Sequence, residues 1–62
     1  MGEIFDEIAR FVLKSEHGGF LKKMADAWLH ADPENKAILR GAWAEIIVKY
    51  DLNVEYVQSK QP

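Results

Sequence analysis

The chain has 62 residues, and 48% of them are hydrophobic, a fraction too high for a disordered chain. It contains no cysteine, which excludes disulfide bonds, a thiolate zinc site and a cysteine nucleophile. The formal net charge of −2 argues against the concentrated basic surface that nucleic-acid-binding domains usually carry. A domain of this size buries only about 60% of its unfolded surface, so its stability margin is small and oligomerisation would help it.

Two amphipathic segments come first in the chain. Apolar residues at helical spacing predict a first helix over residues 3–15 and a second over residues 20–31. Gly18 and Gly19 interrupt the pattern between them. The buried side of the first helix is expected to contain Ile4, Ile8, Phe11 and Val12. That of the second is expected to contain Leu21, Met24 and Trp28.

A third predicted helix covers residues 33–50, and Asp32 and Pro33 mark its beginning. Asp is a favourable N-cap because its side chain accepts from free backbone N–H groups, and Pro at the first helical position loses no hydrogen bond. At 100° per residue this helix has apolar residues on two opposite sides. The wide side contains Leu39, Ala42, Trp43, Ile46 and Tyr50. The narrow side contains Ala37, Gly41, Ala44 and Val48. Such a helix is expected to have packing partners on both sides.

The pattern changes after Tyr50. Residues 54–57 are rich in β-branched and aromatic side chains, which favour extended structure. An ordered extended tail, a strand pairing across a dimer, additional helix and disorder are all compatible with this segment. We therefore predict an all-α fold, a small three-helix bundle over residues 1–53 with a short extended or β-like C-terminal extension over residues 54–62. Its predicted core adds Leu39, Trp43, Ile46 and Tyr50 to the residues of the first two helices.

No motif predicts catalysis, a cofactor or a small-molecule substrate. The acidic residues fall on predicted polar sides or helix caps, and no phosphate-binding loop or activated serine is present. Asp26 and His30 have the spacing of two metal ligands, but no third ligand follows from the sequence, so no metal is expected. Residues 1–6 lack the features of a signal peptide and no apolar run is long enough to span a bilayer, so we expect a cytoplasmic protein without membrane contact.

The leading functional hypothesis is a small non-enzymatic interaction module of unknown process that binds itself as a homodimer or binds another protein. The predicted contact regions are the third helix and the tail at residues 54–57, where strand addition is also possible. The candidate contact residues are Ala37, Gly41, Ala44, Val48, Val54 and Tyr56. Two possibilities stay open for the narrow side of the third helix: it is covered by another helix of the same chain, or by a partner.

The alternative hypothesis is a small nucleic-acid-binding regulator. The predicted helices over residues 20–31 and 33–50 are joined by a tight turn, as in a helix-turn-helix pair. Its candidate contacts are Lys22, Lys23, Lys36 and Arg40. Asp32 and Glu34 at the start of the second helix of this pair would face phosphates, so nucleic acid is the less favoured partner.

Overall fold

A computed structural model describes residues 3–61, with side chains from Ile4 onward. This part of the chain is all-helical and contains no strand. Its four helices are α1 (Glu3–Lys14), α2 (Gly19–His30), α3 (Pro33–Lys49) and α4 (Leu52–Ser59). The predicted all-α class is confirmed, and the predicted count of three helices is wrong. The ends of the predicted domain ranges at residues 1, 2 and 62 lie outside the described residues.

Local chemistry explains where α3 begins. The carboxylate of Asp32 accepts a hydrogen bond from the backbone N–H of Asn35 at 2.8 Å, and Pro33 occupies the first helical position. Glu34 adds negative charge to the first turn and Lys49 adds positive charge to the last, which suits the helix dipole at both ends. The predicted N-cap of this helix is therefore confirmed.

The predicted extended or β-like extension is wrong, because residues 52–59 form α4. Asp51 makes the turn in the left-handed region, with φ of 56°. Leu52 and Tyr56 then lie on one side of the helix and are buried. A single strand would leave its backbone groups without partners, whereas a helix satisfies them within the segment and still buries two large side chains. The predicted boundary between residues 53 and 54 falls inside this helix.

The core differs from the predicted one on all four helices. Ile4 and Tyr50 were expected in the core but are 49% and 40% exposed. Phe11, Met24, Leu39 and Ile46, also predicted, are partly buried and pack against the core. The buried residues are Ile8, Ala9, Val12, Leu21, Ala25, Trp28, Trp43, Ile47, Leu52 and Tyr56. The fourth helix packs against both α1 and α3, so the covered side of α3 includes Ile47 and excludes Tyr50.

The polar atoms of three buried aromatic residues all find partners on α1. Trp28 Nε1 donates to the Asp6 carboxylate at 2.7 Å, and Trp43 Nε1 donates to the Phe5 carbonyl at 3.3 Å. The Tyr56 hydroxyl donates to the Glu7 carboxylate. Because these three aromatic residues come from α2, α3 and α4, each of those helices is held to α1 by a directional contact.

Candidate interaction surface

One side of α3 is covered by the rest of the fold, and the opposite side is not. Trp43 and Ile47 point into the core, where Ile47 is only 4% exposed. On the opposite side Ile38 is 74% exposed and Val48 is 68% exposed. We call this uncovered side the outer face of α3 and define it by Ala37, Ile38, Gly41, Ala44 and Val48. At 100° per residue Glu34 and Glu45 lie between Gly41 and Ile38, and Lys49 lies just beyond Ile38.

The described residues leave most of the narrow side of α3 uncovered. Ala37, Gly41 and Val48 are exposed, and Ala44 is partly buried. A Cβ atom added to Gly41 would have no neighbouring atom within 4 Å. Glycine inside a helix is about 1 kcal/mol less favourable than alanine, and no close approach within the described chain accounts for it here. Neither α1 nor α2 covers Gly41.

A shallow, open cleft lies at the C-terminal end of the outer face. It has a volume of about 620 Å³ and a mostly apolar surface. Its lining residues are Ala44, Glu45, Ile46, Val48 and Lys49. All five lining residues belong to α3, and three of them are apolar and two are charged.

The two candidate contact residues on α4 differ in their exposure to solvent. Val54 is exposed. Tyr56 belongs to the core, with its ring centroid 5.9 Å from that of Phe11 in an edge-to-face arrangement. Tyr56 is therefore unavailable as a surface contact residue. Strand addition at residues 54–57 is ruled out for this conformation, because the backbone of that segment is hydrogen-bonded within a helix.

Two of the four candidate nucleic-acid contacts on α2 and α3 are used within the chain. Lys36 Nζ lies 3.2 Å from the Asp6 carboxylate and 5.2 Å from the Trp28 ring centroid. The Arg40 guanidinium lies 4.9 Å from the Phe5 ring centroid. Lys22 is partly exposed and Lys23 is exposed. The positive charge available to a nucleic acid is reduced, since Asp6 offsets the charge of Lys36.

Asp6 of α1 contacts side chains of both α2 and α3. Burial of its carboxylate raises the pKa, while the hydrogen bonds from Trp28 and Lys36 and the Lys36 charge lower it by a larger total amount. The pKa of Asp6 therefore lies below its usual value. Through these two donors Asp6 joins α1 to α2 and α3, which makes it a structural contact.

The histidines form contacts with single carboxylates. His30 Nδ1 lies 3.1 Å from the Asp26 carboxylate on the exposed side of α2. His17 Nε2 lies 3.0 Å from a Glu55 carboxylate oxygen, although the alignment is not that of a hydrogen bond. Among the residues from Ile4 to Gln61, no group of three or more potential ligands lies close enough to hold a metal ion. No polar or charged side chain in that range is fully buried.

A second cleft, of about 420 Å³, lies between α1 and α4. It is more polar than the first, and Lys60 Nζ lies 5.1 Å from the Tyr56 ring centroid at its edge. Its lining residues are Glu7, Arg10, Phe11, Lys14, Tyr56 and Lys60. No sequence pattern indicated this cleft, because it depends on a helix, α4, that was predicted as an extended tail.

Ile38 is one of the exposed apolar residues that the sequence reasoning did not name. The periodicity placed neither Ile38 nor Ile47 on a defined side of the third helix, since both lie at the border between its two apolar sides. The available signal was an apolar, β-branched side chain three positions before Gly41, on a neighbouring turn of the helix.

Comparison of the chain with protein-family models, with curated proteins and with solved structures gives no match. Within the described residues, no helix combines the length and the apolar character that crossing a membrane requires.

Proposed function

We propose that this chain is a small non-enzymatic interaction module that self-associates through the outer face of α3. The observation that carries the proposal is the pair of opposite apolar sides on one helix, of which the fold covers only one. Ile38 and Val48 leave most of their surface in water, which is unfavourable by about 25 cal/mol for each Å² of apolar area. Burying this face against a second helix would recover that free energy.

A second copy of the chain is the partner that best fits this face. The face contains a stripe of small residues, Ala37, Gly41 and Ala44, that allows close approach of a helix. The face carries both signs of charge, Glu34 and Glu45 as well as Lys49, so oppositely charged groups of two copies can pair. A face of one sign would instead favour a partner of opposite charge.

The outer face is small, and this sets the expected affinity. From Ala37 to Val48 it extends about 16 Å along the helix, at 1.5 Å per residue. Two such faces bury an area near or below the roughly 1,000 Å² typical of stable interfaces. We therefore propose a homodimer with a dissociation constant in the micromolar range.

Sedimentation equilibrium from about 1 µM to about 500 µM tests the proposal, since this range spans micromolar dissociation constants. The wild-type chain should change from monomer to dimer. Val48→Asp should weaken self-association at least tenfold, because it buries an unpaired charge. Val54→Asp is the matched control, since Val54 is also an exposed helical valine but lies on α4.

The possible results distinguish between α3 and α4 as the contact surface. A wild-type chain that stays monomeric at every concentration would refute self-association. Weakening by Val54→Asp with no effect of Val48→Asp would move the contact surface from α3 to α4. Loss of self-association in Val48→Asp alone supports the outer face of α3.

A further inference from the structure

The cleft between α1 and α4 concentrates positive charge on a chain whose formal net charge is −2. Its lining contains three basic side chains, those of Arg10, Lys14 and Lys60, and one acidic side chain, that of Glu7, so it carries a formal charge of +2. The ion pairs among residues 4–61 are formed by other side chains. We propose that this cleft binds an acidic segment of a partner protein.

The side chains that form the α1 wall of the cleft share one side of that helix. Glu7, Arg10, Phe11 and Lys14 are related by the i, i+3, i+4, i+7 spacing of neighbouring helix turns. Arg10 and Lys14 are four residues apart, which is about 6 Å along the axis at 1.5 Å per residue. In an extended chain alternate side chains point the same way and lie about 6.6–7 Å apart. Two acidic residues separated by one residue therefore match the spacing of these two cations.

Lys60 supplies a third cation from the opposite wall of the cleft. It is the C-cap of α4, and its Nζ lies 5.1 Å from the Tyr56 ring centroid. The Tyr56 hydroxyl donates to the Glu7 carboxylate, so the two walls are joined beneath the cations. Because both walls carry positive charge, a bound acidic segment would contact α1 and α4 at the same time.

The mixed lining favours an acidic peptide over a nucleic acid. Phe11 adds partly buried aromatic surface beside the cations, which suits an apolar side chain of a peptide. The Glu7 carboxylate opposes a phosphate backbone, because every nucleotide of such a backbone adds a negative charge. Single-stranded nucleic acids stack their bases on accessible ring faces, whereas Tyr56 is only 8% exposed.

An NMR titration of the isotope-labelled chain at constant protein concentration tests the proposal. The probe is a short blocked peptide of alternating glutamate and leucine. Its addition should shift the amide signals of Arg10, Lys14 and Lys60. The matching peptide with glutamine in place of glutamate should leave them unshifted at the same concentration. Added salt should weaken binding of the glutamate peptide, because exposed charges are screened.

Neutral variants identify the cations that contribute. Arg10→Gln, Lys14→Gln and Lys60→Gln should each weaken binding about two- to fivefold, the effect of one exposed ion pair, and the triple variant should weaken it by roughly tenfold or more. Lys23→Gln is the matched control, since Lys23 is exposed on α2 and does not line the cleft. Lys14 and Lys60 lie at helix ends, where positive charge suits the dipole, so urea midpoints confirm folding. Arg10→Gln lies within α1 and keeps the test decisive if an end variant unfolds.

Competing anions distinguish the acidic peptide from other ligands. Inorganic phosphate that displaces the peptide at equal charge concentration would overturn the proposal in favour of a general anion site. Oligothymidylate that binds more tightly than the peptide would overturn it in favour of a nucleic acid.

The remaining outcomes concern the ionic contact itself. Absence of shifts, equal binding of the glutamine peptide, or unchanged binding by the triple variant would refute the proposal. Shifts confined to the glutamate peptide, with losses in the cleft variants and none in Lys23→Gln, support it. Because the cleft is formed by α1 and α4, a failed titration leaves the proposed self-association through α3 unaffected, and a monomeric chain leaves the peptide site unaffected.

Discussion

Ile38 and Ile47 are identical side chains on the same helix with opposite surroundings, and this pair gives a direct test of which side of α3 is buried. Ile47 is 4% exposed and Ile38 is 74% exposed. Truncating Ile47 to alanine removes buried carbon atoms worth about 2.4 kcal/mol at 0.8 kcal/mol each, and the cavity adds to the loss. We expect Ile47→Ala to lower the free energy of unfolding by about 2–4 kcal/mol.

Ile38→Ala is the matched control on the uncovered side. Only about a quarter of this side chain is buried, so its transfer free energy is about 0.6 kcal/mol. The better helix propensity of alanine offsets part of that loss. We expect the free energy of unfolding of the monomer to change by less than about 0.5 kcal/mol.

Urea denaturation followed by tryptophan fluorescence measures both variants, since Trp28 and Trp43 are buried in the folded chain. Samples are kept dilute, because dimer formation would add concentration-dependent stability to the wild type. The whole domain is expected to have a stability of only about 3–9 kcal/mol, so Ile47→Ala should shift the midpoint strongly. Equal losses in the two variants, or a loss confined to Ile38→Ala, would refute the assignment of the buried side.

Three further changes test other parts of the fold. Asp6→Asn should lower the free energy of unfolding at pH 7 by about 1–3 kcal/mol, because charged hydrogen bonds from Trp28 and Lys36 are weakened. The folded-state pKa of Asp6 is depressed, so this stability is present above the unfolded-state pKa and is lost as the pH falls through the folded-state pKa. Urea denaturation between about pH 5 and about pH 2 should therefore show the difference from wild type shrinking as the pH falls, and a constant difference would contradict it. Asp51→Gly should leave the free energy of unfolding unchanged or raise it by up to about 1 kcal/mol, because glycine adopts the left-handed conformation without strain. A lower thermal midpoint than that of the wild type would argue against the left-handed conformation at residue 51. Leu52→Ala should cost about 2–5 kcal/mol by chemical denaturation, and a neutral result would mean that α4 is not part of the folded core.

The helices that sequence reasoning predicted well are those with strong local signals. The N-cap at Asp32 and the proline that follows it depend on hydrogen bonds and dihedral angles within one turn, and the structure has both. The stripe that contains Ile8 and Val12 on α1 depends only on helical periodicity and is buried as expected. The segment after Asp51 has no comparable signal. Its β-branched residues favour a strand, whereas only a helix places Leu52 and Tyr56 on the same buried side.

The candidate surface was predicted in part. Periodicity alone identified a second apolar side on the third helix and named Ala37, Gly41, Ala44 and Val48 within it. It could not show whether another helix covers that side. It also placed Tyr56 at the surface, because a tail without a predicted partner has no visible reason to be buried.

The sequence by itself determined the helical class, the start of α3 and the presence of apolar residues on two sides of that helix. These properties arise from interactions between residues within about four positions of each other, which a sequence displays directly. Only the tertiary structure decided which apolar side is covered, that residues 52–59 form a helix, and that Tyr56 donates to Glu7. Those outcomes depend on contacts between residues far apart in the chain, such as Trp43 with Phe5, and burial follows from how the four helices pack together.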